Sequence, residues 1–406
     1  MKKSHIAKLT LTLGLIAAFA IACDRENMLE SPFEQDNLSS KLIIPSKDPV
    51  PGQYIVVLEG SAAPIDFRAA KLSYDEGQRI MKEQALGMMG RLDIADSKLE
   101  FVYAHSLVGF SLKDITDAEL QKLLADIDVK YVEQNQTIAL EGGPPSGGSC
   151  ATNTSEMIPC GIPLVNGGAN YTGSRKAYVL DTGIDLDHPD LNVASYGFNG
   201  TTESGLDDGN GHGSHCAGTI AAKGGNGIGV VGVAAGALVV PVKVLNKRGS
   251  GTNSGVIAGV DYAGANGNAG DVASMSLGGG ASTALDNAVV SASSGGVWFV
   301  IAAGNDGANA NNYSPARVNG TYIRTIAAMT CSGGWASYSN FGQPPVDWIA
   351  PGSAICSTYK DGGYASLSGT SMATPHASGV ILVRGASPST CGTVSHSSGS
   401  YSRICM

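Results

Sequence analysis

Four short, uninterrupted apolar runs in the second half of the chain constrain its fold more than any other feature. A continuous run of four or five apolar residues is typical of a strand buried on both faces of a parallel sheet. Stretches with a helical pattern separate the runs, as the crossovers between parallel strands require. The sequence therefore predicts a doubly wound, mainly parallel α/β sheet. The runs lie at 177–180, 238–242, 272–276 and 297–301, and the helical stretches at 212–222, 251–264 and 284–294.

The composition of the chain changes sharply at an eight-residue Gly/Pro/Ser stretch, 142–149. Residues 1–149 hold 36 charged residues and 11 glycines, whereas residues 150–406 hold 25 and 44. Neither a helix nor a strand forms readily over such a stretch, which is therefore predicted to be an exposed linker and a preferred site of proteolysis. The change predicts two units, joined by a linker at 141–149.

The first unit, 53–140, is predicted to be a small α+β domain. Strand patterns at 53–58, 101–112 and from 130 alternate with helix patterns at 73–89 and 118–126, in the order β-α-β-α-β. Residues 24–52 are an N-terminal extension.

The first 23 residues are predicted to be an export signal. Lysines precede an apolar run of 14 residues at 9–22, which is the length of a signal peptide. Ala20-Ile21-Ala22 fits a cleavage site, and the following Cys23 makes the segment resemble a bacterial lipobox, in which that thiol is acylated. Secretion and a lipid anchor through Cys23 both remain open. No later apolar run reaches the ~20 residues of a membrane span.

Export makes disulfide bonds the expected role of the cysteines. Seven follow Cys23, so one is left unpaired, and six cysteines allow 15 pairings. Pairing neighbours in sequence predicts Cys150–Cys160, Cys331–Cys356 and Cys391–Cys405, with Cys216 free.

A net charge of −9, with 35 acidic and 26 basic residues, disfavours a nucleic-acid partner.

Three residues whose side chains could take part in catalysis occur where strands end or helices begin. Asp181 follows the run at 177–180, His212 opens the helix at 212–222, and Ser371 follows a glycine turn before an apolar helix. Alone, each is explained as a turn, loop or capping residue. In such sheets, ligands and catalytic residues lie at the carboxyl ends of the strands. Together the three supply a hydroxyl nucleophile, an imidazole that takes its proton and a carboxylate that orients the imidazole.

The motifs around these residues resemble those of the subtilisin-like serine proteases, in particular their proteinase K branch. They read Asp181-Thr-Gly-Ile-Asp, Gly211-His-Gly-Ser-His-Cys and Ser368-Gly-Thr-Ser-Met-Ala-Thr-Pro-His, and the chain order Asp, His, Ser is known in that family. Further similar segments begin at Gly249, Met275 and Ala302. The resemblance covers most of 150–406 and implies a subtilisin-like catalytic domain.

The resemblance also assigns roles. It makes Ser371 the nucleophile, His212 the general base and later acid, Asp181 the orienting carboxylate and Asn305 an oxyanion donor. His215 and His376 are set aside as bases because the motif assigns proton transfer to His212. The edge that pairs with the substrate backbone would be Ser276, Leu277 and Gly278.

Residues 53–138 resemble the inhibitory propeptide of the same family. The protein is therefore expected to be an exported endopeptidase, made as a zymogen that cuts itself in the linker at 141–149. Its partners would be protein and peptide substrates and its own propeptide.

No cofactor is expected for catalysis, although the family commonly binds structural calcium. Asp347 resembles a calcium-ligand position of the proteinase K branch, and a plain surface aspartate explains it equally well.

Two other functions are considered for this chain. A catalytically inactive relative that only binds peptides would not need all four of Asp181, His212, Asn305 and Ser371. An esterase would carry a Gly-x-Ser-x-Gly elbow, which the sequence around Ser371 lacks.

Overall fold

The computed structural model describes residues 40–63, 65–67, 70, 72–140 and 150–406. The predicted signal segment with Cys23 and the predicted linker at 141–149 lie outside these residues. Among the described residues, no helix combines the length and the apolar composition that a membrane crossing requires.

The N-terminal unit is a mainly antiparallel sheet with two helices, in which only β1 pairs in parallel, with β5, among the described strands. Alternate residues of its strands face opposite sides: Val56 packs with the unit's own helices, whereas Ile55 and Val57 pack with residues of the second unit. The sheet is therefore covered on both faces. The strands are β1 (Leu42–Ile43), β2 (Pro49–Leu58), β3 (Leu99–Tyr103), β4 (Gly109–Leu112) and β5 (Val129–Leu140), and the helices are α1 (Tyr74–Arg91) and α2 (Asp117–Ala125).

Three details of this unit differ from the sequence prediction. The single strand predicted at 101–112 is two antiparallel strands, β3 and β4. Helix α2 begins at Asp117, one residue before the predicted start, and is capped by Thr116, which forms a capping box with Glu119. Strand β2 begins at Pro49 instead of residue 53, and β1, which pairs with β5, comes from the predicted N-terminal extension.

The second unit is built on a twisted sheet with the order β20-β21-β17-β16-β14-β12-β7-β10-β8. All pairs are parallel except the terminal hairpin β20–β21, which confirms the predicted fold class. The strands are β6 (Ala169–Asn170), β7 (Ala177–Asp181), β8 (Phe198–Asn199), β9 (Ala234–Ala235), β10 (Val239–Lys243), β11 (Ser250–Thr252), β12 (Val272–Met275), β13 (Leu277–Gly280), β14 (Trp298–Ala302), β15 (Tyr313–Ser314), β16 (Ile323–Met329), β17 (Val346–Pro351), β18 (Ile355–Tyr359), β19 (Gly363–Leu367), β20 (Ser389–His396) and β21 (Gly399–Cys405).

Helices pack on both faces of this sheet. Helices α4 and α7 belong to the core on one face, and α5 and α6 to the core on the other. The three predicted crossover helices correspond to α4, α5 and α6. The helices are α3 (Gly161–Leu164), α4 (His212–Ala221), α5 (Asn253–Asn266), α6 (Thr283–Ser293) and α7 (Thr370–Arg384).

Two of the three predicted disulfide pairings are wrong. The bonds are Cys150–Cys356 and Cys160–Cys331, across 206 and 171 residues of sequence, because folding brings the segment 150–160 beside β18 and the turn after β16. Cys391–Cys405 is confirmed and ties the ends of the β20–β21 hairpin. Cys216 is free and buried, as predicted.

Candidate active site

Asp181 and His212 form a buried pair at the carboxyl end of the interior strand β7. Asp181 is the last residue of β7, and His212 is the first residue of α4. The imidazole Nδ1 lies 2.8 Å from Oδ1 and 3.0 Å from Oδ2 of Asp181. Strand β7 lies between β10 and β12, where the chain turns from one side of the sheet to the other. Such a switch point is where open α/β sheets place their ligands.

Two glycines allow the segments that carry this pair to approach closely. Gly183 has φ +106°, and a Cβ there would lie 2.5 Å from the carbonyl oxygen of Leu206. A Cβ at Gly213 would lie 2.0 Å from the carbonyl oxygen of Gly183. A side chain at Gly213 would push the start of α4, with His212, away from the end of β7, with Asp181, whereas a side chain at Gly183 would displace the segment at 206–207.

The environment of His212 sets the direction of its pKa. Burial favours the neutral imidazole, but the adjacent Asp181 carboxylate favours the imidazolium and prevails. The pKa of His212 therefore lies above its ordinary value. The Nε2 atom of His212 is buried, and within the described residues it makes no hydrogen bond.

Ser371 is the second residue of helix α7, directly beyond the turn at Gly369. Its side chain is buried, and the hydroxyl donates to the main-chain carbonyl of Ser276 at 3.3 Å. The Ser276 hydroxyl in turn donates to the carbonyl oxygen of Ser371 at 2.9 Å. These two bonds hold the start of α7 against the segment between β12 and β13.

Asn305, just after β14, is oriented by the first residue of α7. Its Oδ1 accepts the main-chain N–H of Thr370 at 2.8 Å and the Thr370 hydroxyl at 3.2 Å. Both donors engage Oδ1, so the amino group Nδ2 lies on the opposite side of the amide. Sequence analysis did not single out Thr370, although it stands directly before Ser371.

Strand β5 of the N-terminal unit runs into the second unit and ends beside these residues. It lies between two antiparallel edges, pairing Thr137, Ile138 and Ala139 with β11, and Ala139 and Leu140 with β13. The predicted edge residues Leu277 and Gly278 belong to β13, and Ser276 directly precedes it. A chain segment is thus already bound as an added β-strand.

The two histidines set aside as bases have other partners. His215 Nε2 pairs with the carbonyl oxygen of Ile355 at 2.9 Å, and His376 Nδ1 with that of Met372 at 2.8 Å. Burial lowers the pKa of His215 to about 3 and that of His376 to about 4, so both are neutral near pH 7.

Asp347 lies in β17, outside this cluster. One of its oxygens accepts the main-chain N–H of Thr325 at 2.8 Å. Burial raises the pKa of Asp347, and the charge of nearby Arg324 opposes that rise. In the part of the chain that the structure describes, the His, Cys and carboxylate groups that converge as metal ligands could are Asp181, His212 and Cys216.

Comparison with known protein families identifies the family to which the chain belongs. The Subtilase family, Peptidase_S8, matches residues 177–393, and Peptidase inhibitor I9 matches residues 53–141. The chain belongs to the subtilase family of serine proteases and carries the inhibitor-type propeptide in front of its catalytic domain.

Relatives of this chain come from bacteria and fungi. Alkaline serine exoprotease A of Vibrio alginolyticus is 39% identical over 360 residues, which cover 86% of this chain and 63% of that protein. Extracellular serine proteinase of Thermus sp. (strain Rt41A) is 37% identical, covering 92% and 88%. Subtilisin-like protease 7 of Trichophyton verrucosum is 36% identical, covering 84% and 85%. The crystal structure of a cold adapted subtilisin-like serine proteinase is 45% identical, covers 52% of this chain and 77% of that one, and has a TM-score of 0.48.

Proposed function

We propose that this protein is an exported serine endopeptidase that works through Ser371, His212 and Asp181 and is made as a self-processing zymogen. The observation that carries the proposal is the buried Asp181–His212 pair, with Nδ1 and Oδ1 2.8 Å apart, at the carboxyl end of the sheet, together with Ser371 in the first turn of helix α7. A peptide strand is bound in the same cleft.

In the acylation half of the reaction, His212 Nε2 takes the proton of the Ser371 hydroxyl as the oxygen attacks the scissile carbonyl. Asp181 holds Nδ1–H and stabilises the imidazolium that forms. The oxyanion of the tetrahedral intermediate accepts hydrogen bonds from Asn305 Nδ2 and the main-chain N–H of Ser371. One such donor contributes about 10²–10³ in kcat, a magnitude measured in this same family.

Collapse of the intermediate breaks the peptide C–N bond, and His212 returns its proton to the leaving amine. Water then attacks the acyl-enzyme, again giving its proton to His212, and the carboxylic acid product leaves as Ser371 recovers its hydroxyl. No cofactor takes part in either half.

The substrate is held chiefly through its backbone. Strands β11 and β13 present antiparallel edges on both sides of the cleft, and main-chain hydrogen bonds to them are independent of the substrate's side chains. The side chain of Ile138 in the bound strand is buried with Leu277, so an apolar residue fits that position.

The N-terminal unit inhibits by leaving β5 in the cleft, and the cut falls in the linker at 141–149. Leu140, the last residue before the linker, pairs with Leu277, one position from Ser276. Ser276 contacts Ser371, so β5 ends close to the proposed nucleophile.

Two further expectations have different support. Asp347 does not fit a calcium site, because one oxygen binds a main-chain N–H and an arginine lies nearby. Within the described residues, Asp347 is also not part of the group of His, Cys and carboxylate side chains that converge as metal ligands could. Acylation of Cys23 remains a prediction from the lipobox resemblance. It would leave the propeptide at the membrane after the cut.

A fluorophosphonate probe tests the assignment. The matured wild-type protein should be labelled at Ser371, and peptide mapping identifies the modified residue. Ser371→Ala should lose labelling and peptide hydrolysis and should accumulate uncut. Substantial casein hydrolysis by purified Ser371→Ala protein would exclude the proposed nucleophile.

A further inference from the structure

The carboxylate of Asp208 joins the segment that carries Asp181 to the segment that carries His212. Asp208 is 3% exposed. It accepts five hydrogen bonds, which occupy both oxygens. Oδ1 accepts the Thr182 hydroxyl at 2.8 Å and the N–H groups of Asn210 and Gly211 at 3.0 and 2.8 Å. Oδ2 accepts the N–H and the hydroxyl of Ser214 at 2.8 and 2.7 Å.

The donors come from both sides of the catalytic pair. Thr182 directly follows Asp181, whereas Gly211 and Ser214 lie on either side of His212. The two hydroxyls also accept hydrogen bonds from the opposite segment. Gly213 N–H donates to the Thr182 hydroxyl at 3.0 Å. The Ser214 hydroxyl accepts from Asp185, whose N–H lies 2.9 Å away. The result is a closed network around one buried carboxylate.

Helix α4 needs such a partner, because its own N-cap residue is Gly211, which has no side chain to cap it. The first N–H groups of a helix require acceptors, and a negative charge near them is stabilising. Asp208 and Thr182 supply these acceptors from outside the helix. The position of His212, at the first residue of α4, therefore depends on groups outside the triad.

We propose that Asp208 is a positioning residue for catalysis, which fixes the imidazole of His212 relative to Asp181 through Thr182 and Ser214. Asp208 touches neither the reacting atoms nor the substrate. The proposal rests on the proposed peptidase function for its kinetic readout. A misplacement of about 1 Å in a catalytic group costs roughly 10²-fold in rate, so loss of the network is expected to lower kcat and leave KM nearly unchanged.

The test compares Asp208→Asn with Asp207→Asn in the full chain. Asp207 is the exposed neighbour and undergoes the same change in charge. For hydrolysis of a peptide p-nitroanilide that reproduces residues 137–140, Asp208→Asn should lower kcat about 10- to 100-fold, with KM within twofold. Asp207→Asn should keep both constants within twofold. Equal effects of the two variants, or an unchanged kcat for Asp208→Asn, would overturn the proposal.

A spectroscopic readout separates this proposal from the proposed function. In Ser371→Ala protein, the Nδ1–H proton of His212 should give a downfield NMR signal from its bond to Asp181. Adding Asp208→Asn should shift or broaden that signal, and adding Asp207→Asn should not. This result does not depend on turnover, so it stands even if the wild type cleaves no peptide. An unchanged signal with Asp208→Asn contradicts the positioning role.

Thr182 offers a second pair of variants in case Asp208→Asn does not fold. Thr182→Val keeps the shape of the side chain and removes the hydroxyl that links Asp208 to Gly213. Thr182→Ser retains that hydroxyl. Thr182→Val should lower kcat and perturb the His212 signal, whereas Thr182→Ser should restore both; equal behaviour of the two variants refutes the network.

Discussion

Asp261, within helix α5 of the catalytic domain, accepts a hydrogen bond at 2.7 Å from the main-chain N–H of His105 in the N-terminal domain. The same fully buried carboxylate accepts the hydroxyl of Ser106 at 2.8 Å and the side-chain amide of Gln78, also at 2.8 Å. Glu133 makes the reverse connection, since its carboxylate accepts the N–H of Ala284 at 2.9 Å, at the start of helix α6. The two domains are thus joined by buried carboxylates as well as by the strand in the cleft.

Replacing Asp261 with Asn should weaken the inhibition that follows the cut. Loss of one partner in a buried, charged network costs about 1–3 kcal/mol, so release of the cut propeptide should accelerate roughly tenfold or more. The measurement is the delay between cleavage, seen on a gel, and the onset of peptide hydrolysis. Asp306→Asn, an exposed change of the same kind, is the control. An unaltered delay in Asp261→Asn would show that the carboxylate does not hold the domains together.

Peptidase activity should increase with pH. The Asp181 carboxylate raises the pKa of His212, so the imidazole keeps its proton to a higher pH than a free histidine does. Only the neutral imidazole acts as base, and kcat/KM should therefore rise through this pKa to a plateau at alkaline pH. Among the described residues, Cys216, His215 and Tyr359 also interact electrostatically with His212. A pH–rate profile of the matured enzyme checks this, and a maximum near pH 4 would contradict it.

Thr370→Val should impair the oxyanion site without preventing folding. The change removes the hydroxyl that donates to Asn305 and accepts from the N–H of Gly304 at 3.1 Å. The main-chain bond from residue 370 to Asn305 remains, so we expect about a tenfold loss of kcat, smaller than the loss of the donor itself. Thr370→Ser should recover most of the rate. If kcat for Thr370→Val equals that of the wild type, the hydroxyl does not orient Asn305.

His376 should make the folded protein sensitive to acid. Its pKa is lowered to about 4 in the folded state, whereas an unfolded histidine titrates near 6.5. Below about pH 6.5 the unfolded chain takes up a proton that the folded chain excludes. The stability contribution is therefore present above that pH and is lost as the pH falls toward 4.

Thermal unfolding of Ser371→Ala protein, which cannot digest itself, measures this effect. His376→Asn should lose less stability than the parent between pH 7 and pH 4.5, even if its stability at pH 7 is lower. Replacement of the half-exposed His396 by Asn is the matched control for the substitution itself. Parallel losses in the parent and in His376→Asn would remove His376 as the cause.

Much of the candidate site could be predicted from sequence because its chemistry resides in contiguous motifs. The segments around Asp181, His212 and Ser371 each combine a strand end or a helix start with a reactive side chain, and that local pattern does not depend on distant contacts. Thr370 and Asp208 carry no such signal. An Asp or Thr beside a glycine is common in turns, and their roles arise from hydrogen bonds to residues brought close only by folding.

The sequence alone determined the parallel α/β class, and it predicted the division into two units and the three candidate catalytic residues, because apolar periodicity and local motifs are properties of neighbouring residues. Only the tertiary structure decided which cysteines pair. It joins Cys150 to Cys356 and Cys160 to Cys331 because spatial proximity, not separation along the chain, sets whether two thiols can meet. The tertiary structure also decided that β5 enters the cleft between β11 and β13. The strands that pair with β5 are distant from it in sequence, and the residue pattern of one strand does not identify the strand that pairs with it.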